Sequence, residues 1–176
     1  MKTIYFLRHA KSSWKDAELS DIDRPLNKRG RENAPLMGRH LRTLRVKPQL
    51  IIASPSKRTM TTALIVADRI GYEERNIKID MELYGANVAQ IARLLYHLDD
   101  NLKKVMLVGH NPSFTLIVDY FTGQPIDNMP TSGLVQIDFD VKSWQEITPK
   151  TGKLILFEYP KKIEAELKAK TSKKAL

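Results

Sequence analysis

Two patterns of apolar residues alternate along this chain. Short continuous apolar runs, which are typical of buried parallel strands, occupy residues 2–7, 50–53, 77–79 and 105–108. Between them, apolar residues recur every three or four positions and predict helices that begin after Asn27, near residue 57, after Asn87 and near residue 113. Two later runs, residues 134–139 and 154–159, predict a hairpin or a pair of edge strands.

This order of elements defines the expected architecture. Strands that alternate with helices predict an α/β fold, a three-layer sandwich with a mostly parallel central sheet and helices on both faces. Only seven residues, 80–86, separate the third strand from the next helix cap, so we expect a minimal version of the fold without a lid insertion. We expect one domain over residues 1–160 and a basic C-terminal tail, residues 161–176, that is a frayed helix or disordered.

Composition narrows the classes of function. The chain has 176 residues and no cysteine, which excludes a disulfide framework, a cysteine-nucleophile phosphatase and a thiolate metal site. No apolar run approaches the roughly 20 residues of a membrane span, and no signal peptide is recognisable, so we expect a cytoplasmic protein without a membrane partner. The net charge of +9 favours anionic partners, either a phosphorylated molecule or a nucleic acid.

Reactive side chains follow each of the four predicted parallel strands. Ligands of open α/β sheets bind outside the carboxyl ends of the strands, so we expect these side chains to converge on one rim of the sheet. They are Arg8 and His9 after the first strand, Arg58 after the second, Asp80 and Glu82 after the third, and His110 after the fourth.

This set of residue types suits phosphoryl transfer through histidine. Arg8 and Arg58 can each clamp phosphate oxygens with a planar fork of donors. His9 can be a neutral nucleophile near neutral pH, and it would attack phosphorus before water hydrolyses the phosphohistidine. His110, protonated once phosphate is bound, would stabilise the equatorial oxygens. A carboxylic acid would protonate the leaving oxygen.

Three motifs, taken in order, resemble the histidine phosphatase superfamily of phosphoglycerate-mutase-like proteins. They are Leu7-Arg8-His9-Ala10, Ser54-Pro55-Ser56-Lys57-Arg58 and Val108-Gly109-His110-Asn111-Pro112. Ala10 replaces the glycine of the Arg-His-Gly signature, and this is similar to the small SixA-type phosphohistidine phosphatases, as are Asp23-Arg24-Pro25-Leu26 and Arg29-Gly30.

The resemblance covers about residues 2–115 and carries specific expectations. It implies that His9 is the phosphorylated nucleophile and that Arg8, Arg58 and His110 form the phosphate pocket. It also implies that the protein needs no metal and no organic cofactor.

The general acid is an open assignment between two carboxylates. Mutase-like members of the family place a glutamate in the loop after the third strand, within the pattern Glu-x-x-Tyr-Gly. Glu82 is nearest to that pattern, although the match is shifted by one residue, and Asp80 is its rival. The small branch can also function with a weak acid, because the nitrogen of a phosphoramidate leaving group needs less help than an alkoxide. We take Glu82 as the candidate acid.

We therefore expect a phosphatase that hydrolyses a phosphate monoester or phosphoramidate through a phosphohistidine intermediate on His9. An open pocket suits a phosphate displayed on a protein surface, so phosphohistidine proteins are the expected substrates and inorganic phosphate the product. The alternatives are a small-molecule phosphomonoesterase or mutase on the same site, and a non-catalytic phosphate-binding module. Nucleic-acid binding is not expected, because aromatic and basic residues do not interleave as they do on stacking surfaces. The physiological substrate, the oligomeric state and the role of the tail do not follow from the sequence.

Overall fold

A computed structural model describes residues 1–174 as one six-stranded sheet with five helices. The strands are β1 (Lys2–Arg8), β2 (Leu50–Ala53), β3 (Lys78–Ile79), β4 (Lys104–Gly109), β5 (Leu134–Phe139) and β6 (Lys153–Glu158). The helices are α1 (Lys28–Thr43), α2 (Lys57–Ile70), α3 (Val88–Tyr96), α4 (Ser113–Thr122) and α5 (Pro160–Lys174). Short 3-10 turns occupy Asp21–Asp23, Glu74–Asn76, Met81–Leu83 and Trp144–Glu146.

The strands are arranged in the order β3-β2-β4-β1-β5-β6. The pairs β3–β2, β2–β4 and β4–β1 are parallel, and β5 and β6 continue the sheet as antiparallel strands. The predicted α/β sandwich and late hairpin are confirmed. Between β3 and α3 the described chain has only a 3-10 turn and a short loop, so no lid is inserted there.

Side chains of β1 alternate between two hydrophobic cores. Ile4 and Phe6 pack on the side of α3 and α4, where the ring of Phe6 meets the ring of Phe114 edge-on at 5.3 Å between centroids. Tyr5 and Leu7 pack on the other side, with α1, α2 and α5. Because helices cover both faces of the sheet, β1 has no exposed face, which explains why its sequence is a continuous apolar run.

Polar side chains cap the N-termini of α1, α2 and α3. Asn27 accepts a hydrogen bond from the backbone N–H of Gly30, Ser56 caps α2, and Asn87 forms a capping box with Gln90. These caps were visible in the sequence. Helix α1 begins directly after Asn27 and continues through Pro35.

The lysine-rich C-terminal segment, for which we expected a frayed helix or disorder, forms the helix α5. Its first turn packs against the core, because Ile163 is only 3% exposed, and Lys162 donates a hydrogen bond to the Glu158 carboxylate at 2.7 Å. The domain division after residue 160 stays a prediction, and residues 175 and 176 lie outside the described part of the chain. Within residues 1–174, no helix is both long enough and apolar enough to cross a membrane.

Candidate active site

The backbone that leaves β1 is held on three sides. The N–H of His9 donates to the carbonyl of Gly109 at 3.0 Å, and the N–H of Ser132 donates to the carbonyl of His9 at 3.1 Å. One residue later, the N–H of Ala10 donates to the Thr62 hydroxyl on α2 at 2.9 Å. These bonds join the end of β1 to β4, to α2 and to the segment before β5. The imidazole of His9 is therefore carried by a fixed backbone.

The His9 imidazole is buried and held in one tautomer. Its Nδ1 lies 2.8 Å from the carbonyl oxygen of Ala10, and a carbonyl can only accept a hydrogen bond, so Nδ1 carries the proton. The lone pair is then on Nε2. Burial, with smaller contributions from the charges of His110, Arg58 and Arg8, lowers the pKa of His9 to about 3. His9 is consequently neutral at physiological pH, as a nucleophile must be.

Arg8 projects a partly satisfied guanidinium into the same region. Its Nη1 donates to the carbonyl of Met129 at 2.6 Å. Its Nε is buried and has no hydrogen-bond partner among residues 1–174. A buried donor without a partner is costly, and an anion next to the guanidinium can satisfy it.

His110 lies directly across from His9. The two ring centroids are 5.2 Å apart, and the Nε2 of His110 lies 2.7 Å from the hydroxyl of Ser54 at the end of β2. Burial, together with the positive charge of Arg58, lowers the pKa of His110 to about 4. His110 is therefore neutral in this state. Its protonation in the presence of phosphate stays a prediction.

Arg58 extends from the first turn of α2 to the long loop after β1. One guanidinium nitrogen donates to the backbone carbonyl of Asp21 at 2.5 Å, and the other donates to its carboxylate at 3.0 Å. The hydroxyl of Tyr84 donates to the same carboxylate at 2.7 Å, and Arg24 donates to it at 2.8 Å. The bond from Tyr84, followed by those from the two arginines, lowers the pKa of Asp21 to about 2. Asp21 is thus a permanent anion.

Arg24 also organises the outer wall of the site. Its Nε donates to the carbonyl of Ser13 at 3.0 Å, and one of its Nη atoms donates to the hydroxyl of Ser12. Its guanidinium carbon lies 3.2 Å from the centroid of the Trp14 ring, which is 74% exposed. Arg24 therefore fixes this loop by hydrogen bonds to the Ser13 carbonyl and the Ser12 hydroxyl and by a cation–π contact with the Trp14 indole.

These residues line one open cleft with a volume of about 460 Å³. Its lining carries four cationic side chains and, within the described residues, one acidic side chain, Asp21. The cleft therefore favours an anion. Residues 1–174 contain no group of three or more His, Asp or Glu side chains arranged to hold a metal ion. The residues that line the cleft are Arg8, His9, Lys11, Ser12, Trp14, Asp21, Arg24, Arg58, Tyr84, Gly85, His110, Asn111 and Thr131.

The structure does not bring Glu82 into this cleft, contrary to our expectation for the acid. The carboxylate of Glu82 pairs with Arg93 at 3.1 Å, and both Glu82 and Asp80 line a separate cleft beside α3. Neighbouring strands lie roughly 4.8 Å apart, so the edge strand β3, three positions from β1, ends roughly 14 Å from it. The turn after β3 instead brings Tyr84 and Gly85 to the cleft.

Asp21 is the carboxylate that sequence reasoning missed. In the sequence, residues 21–23 match only the Asp-x-Asp motif of aspartyl-phosphate enzymes, and that motif requires a preceding apolar strand that is absent here. Asp21 instead reaches the cleft from a 3-10 turn in the long loop between β1 and α1. The length of that loop was the available signal, because long loops in compact domains are usually functional or disordered.

Comparison with known proteins agrees with this geometry. The family model described as the histidine phosphatase superfamily (branch 1) matches residues 4–97, which is more than half of the chain. An uncharacterized chloroplast protein of Arabidopsis thaliana is 29% identical over 160 residues, which cover 86% of this chain and 72% of that protein.

Two solved structures are similar over nearly the whole chain. A candidate phosphohistidine phosphatase SixA from Agrobacterium tumefaciens has a TM-score of 0.78 and 27% identity, covering 90% of this chain and 98% of its own. A protein histidine phosphatase SixA in complex with tungstate has a TM-score of 0.79 and 21% identity, covering 92% of this chain and 99% of its own. At that identity the second likeness concerns the fold alone.

Proposed function

Because the chain belongs to the histidine phosphatase superfamily, in its SixA-type branch, and is a histidine-nucleophile phosphatase, we propose that it removes phosphoryl groups from phosphohistidine in proteins. One observation carries this choice of substrate. Within residues 1–174, the carboxyl group that lines the cleft is Asp21, and its hydrogen bonds keep it ionised at physiological pH.

In the proposed mechanism, each cleft residue has a separate role. The Nε2 lone pair of His9 attacks phosphorus, while the proton stays on Nδ1, which continues to donate its hydrogen bond to the carbonyl of Ala10. Arg8 and Arg58 hold the phosphoryl oxygens, and His110 stabilises the charge that they carry in the transition state. Water then attacks the phosphorus on His9, and inorganic phosphate leaves.

An ionised Asp21 matters because it cannot donate a proton to a leaving group. An alkoxide leaving from a sugar or serine phosphate is a strong base, and general acid catalysis typically contributes about 10²–10⁴-fold to such a step. The imidazole of phosphohistidine leaves as a neutral molecule when its second nitrogen already carries a proton. A cleft without a protonated carboxyl group therefore suits a phosphorus–nitrogen bond better than an alkyl ester.

The form of the cleft supports a protein substrate. No lid is inserted between β3 and α3 in the described chain, and Trp14 at the wall of the cleft is largely exposed, so a phosphorylated side chain on a folded surface can reach His9. A small sugar phosphate needs enclosing contacts for specificity, which an open cleft does not supply. The partner is then a phosphorylated protein. A cytoplasmic location and independence of cofactors stay predictions.

The test is a comparison of substrates at matched concentrations. We expect kcat/KM on a phosphohistidine protein to exceed that on alkyl phosphates such as glycerol phosphate and 3-phosphoglycerate. His9→Ala should lower all turnover by about 10³-fold or more, whereas His97→Ala, an exposed histidine in the other cleft, should not. Faster turnover of a small alkyl phosphate than of the phosphohistidine protein would contradict the proposal.

A further inference from the structure

His9 lies deep in the cleft, and Asp21 lies near its opening to solvent. His9 is only 9% exposed, whereas the side chain of Asp21 is 47% exposed. A phosphorylated substrate enters from solvent with its phosphorus toward His9. The attacking and leaving atoms are roughly in line in phosphoryl transfer, so the leaving group lies on the solvent side, where Asp21 is.

Asp21 is also next to the phosphate pocket of the proposed mechanism. It shares the guanidinium of Arg58, which belongs to the phosphate pocket in the proposed mechanism. A carboxylate placed against a phosphate site repels the dianion that the site must bind. The same cleft could have been lined by a neutral side chain in contact with Arg58. We therefore infer that the negative charge of Asp21 interacts with another part of the substrate.

The carboxylate retains room for one more donor. An ionised carboxylate has about four lone-pair sites. Its Oδ2 accepts from Arg58 and Tyr84, while its Oδ1 accepts, among residues 1–174, from Arg24 alone. These three donors fix its orientation at the mouth of the cleft. The remaining lone-pair site on Oδ1 is accessible to substrate, because the Asp21 side chain is half-exposed.

We propose that Asp21 is a specificity-determining residue that accepts a hydrogen bond from the imidazolium N–H of the substrate phosphohistidine, at the nitrogen that does not carry the phosphoryl group. The inference rests on the proposed function. A serine, threonine or sugar phosphate has no N–H at this place, so the contact selects phosphohistidine. It also offsets the cost of placing an imidazolium in a cleft lined by cations.

The contact favours the reactive form of the substrate. In that form both imidazole nitrogens are substituted, one by phosphorus and one by hydrogen. His9 forms its Nε2–P bond, the substrate N–P bond breaks, and its electron pair returns to the substrate nitrogen. The leaving group is then neutral imidazole, its N–H still directed at Asp21, and no proton is transferred. Without that proton the leaving group would be an imidazolide anion.

Four charged or titratable groups face Asp21, and they decide how the pH dependence of turnover is interpreted. Arg58 comes from α2, Arg24 follows the 3-10 turn, Tyr84 precedes α3, and His110 lies behind Arg58 after β4. The pKa of Asp21 is about 2 and that of His110 about 4, and the bond to Asp21 raises the pKa of Tyr84. An alkaline decline of kcat between about pH 6 and about pH 9 that appears with a phosphohistidine substrate and not with an aryl phosphate therefore reports the bound substrate imidazolium, because a decline set by His110 would appear with both substrates.

The experiment compares a phosphohistidine peptide with 4-nitrophenyl phosphate, whose leaving group has no N–H. Asp21→Asn keeps the size of the side chain and removes its charge. We expect the ratio of kcat/KM, peptide over aryl ester, to fall by about 10-fold to 100-fold. We also expect the alkaline decline of kcat with the peptide to move to lower pH relative to the profile with the aryl ester, because the carboxylate no longer stabilises the bound imidazolium. The matched control is Asp23→Asn, in the same turn but outside the cleft lining, which should change neither.

Two results would overturn the inference, and they are distinguishable. If Asp21 only positions Arg58, then Asp21→Asn lowers kcat/KM equally for both substrates and changes their two pH profiles alike. This result rejects the specificity role and spares the proposed function. If the wild-type protein hydrolyses the aryl ester but not the peptide, the proposed function fails and the inference fails with it.

Discussion

Arg58 donates two hydrogen bonds to Asp21, one to its backbone carbonyl at 2.5 Å and one to its carboxylate at 3.0 Å. The first turn of α2 is thereby joined to the loop between β1 and α1, two segments that are 37 residues apart in the chain. The planar guanidinium makes this possible, because it presents several donors in a fixed fork. Arg58 thus both lines the phosphate site and shapes its wall.

Replacing Arg58 by lysine should weaken catalysis although the charge is kept. An ammonium is a point charge that cannot reproduce both bonds to Asp21 while it contacts phosphate. We expect kcat/KM on the phosphohistidine peptide to fall by about 10-fold to 100-fold. The matched control is Arg69→Lys, at an exposed position of the same helix, where steady-state kinetics should be unchanged. An active Arg58→Lys variant would show that the fork is dispensable.

The buried histidines should make the protein less stable as the pH falls. Unfolded imidazoles take up protons near pH 6.5, whereas the pKa values of His9 and His110 in the fold are about 3 and about 4. The unfolded state therefore binds more protons below about pH 6.5, and the free energy of unfolding decreases there. Each histidine should cost about 2 kcal/mol between about pH 7 and about pH 5.

Urea unfolding at these two pH values measures this loss. In His9→Gln the loss should be smaller than in the wild type by about 2 kcal/mol, because a glutamine does not titrate. His97→Gln, at an exposed histidine, should lose as much stability as the wild type. An equal pH dependence in wild type and His9→Gln would show that His9 titrates normally in the fold.

Anion binding should couple to protonation of His110. A dianion in the cleft favours the imidazolium form, so the pKa of His110 should rise on binding. We expect net proton uptake when tungstate binds at about pH 6, measured by calorimetry in buffers of different ionisation enthalpy. His110→Gln should abolish most of this uptake and His97→Gln should not. Undiminished uptake in His110→Gln would assign the proton to another group.

The convergence of Arg8, His9, Arg58 and His110 followed from the sequence for a simple physical reason. Arg8 and His9 stand at the end of β1, His110 directly follows β4, and Arg58 lies in the first turn of the helix after β2. The buried apolar run of each of these strands is easy to recognise. The strands involved, β2, β4 and β1, are also neighbours in the sheet. Parallel neighbours end at the same rim, so the order of elements along the chain was enough to bring these side chains together.

The acid assignment failed because it depended on the order of strands across the sheet. The apolar pattern marks β3 as a strand but does not show that β3 lies at the edge. That position carries Glu82 away from His9, toward Arg93. Asp21 could not be placed for a different reason. Its loop has no periodic pattern, and its course is set by bonds to Arg58 and Tyr84, which are distant in sequence.

The C-terminal segment also has a feature that the sequence pattern did not predict. Its composition, with six lysines in residues 161–176, indicated a solvated tail. One apolar side chain, Ile163, is buried on the α1–α2 side of the sheet, and the helix begins at Pro160, one residue before the predicted tail. A single buried contact does not alter a composition, so the sequence pattern did not reveal it.

Trapping the phosphoenzyme tests the central claim most directly. The protein is mixed with a phosphohistidine protein labelled on phosphorus, quenched within milliseconds in alkali, and digested for peptide mapping. The account predicts a transient, acid-labile phosphate on His9 that decays as inorganic phosphate appears, and no such species in His9→Ala. Label on another residue, or release of phosphate by His9→Ala at the wild-type rate, would contradict it.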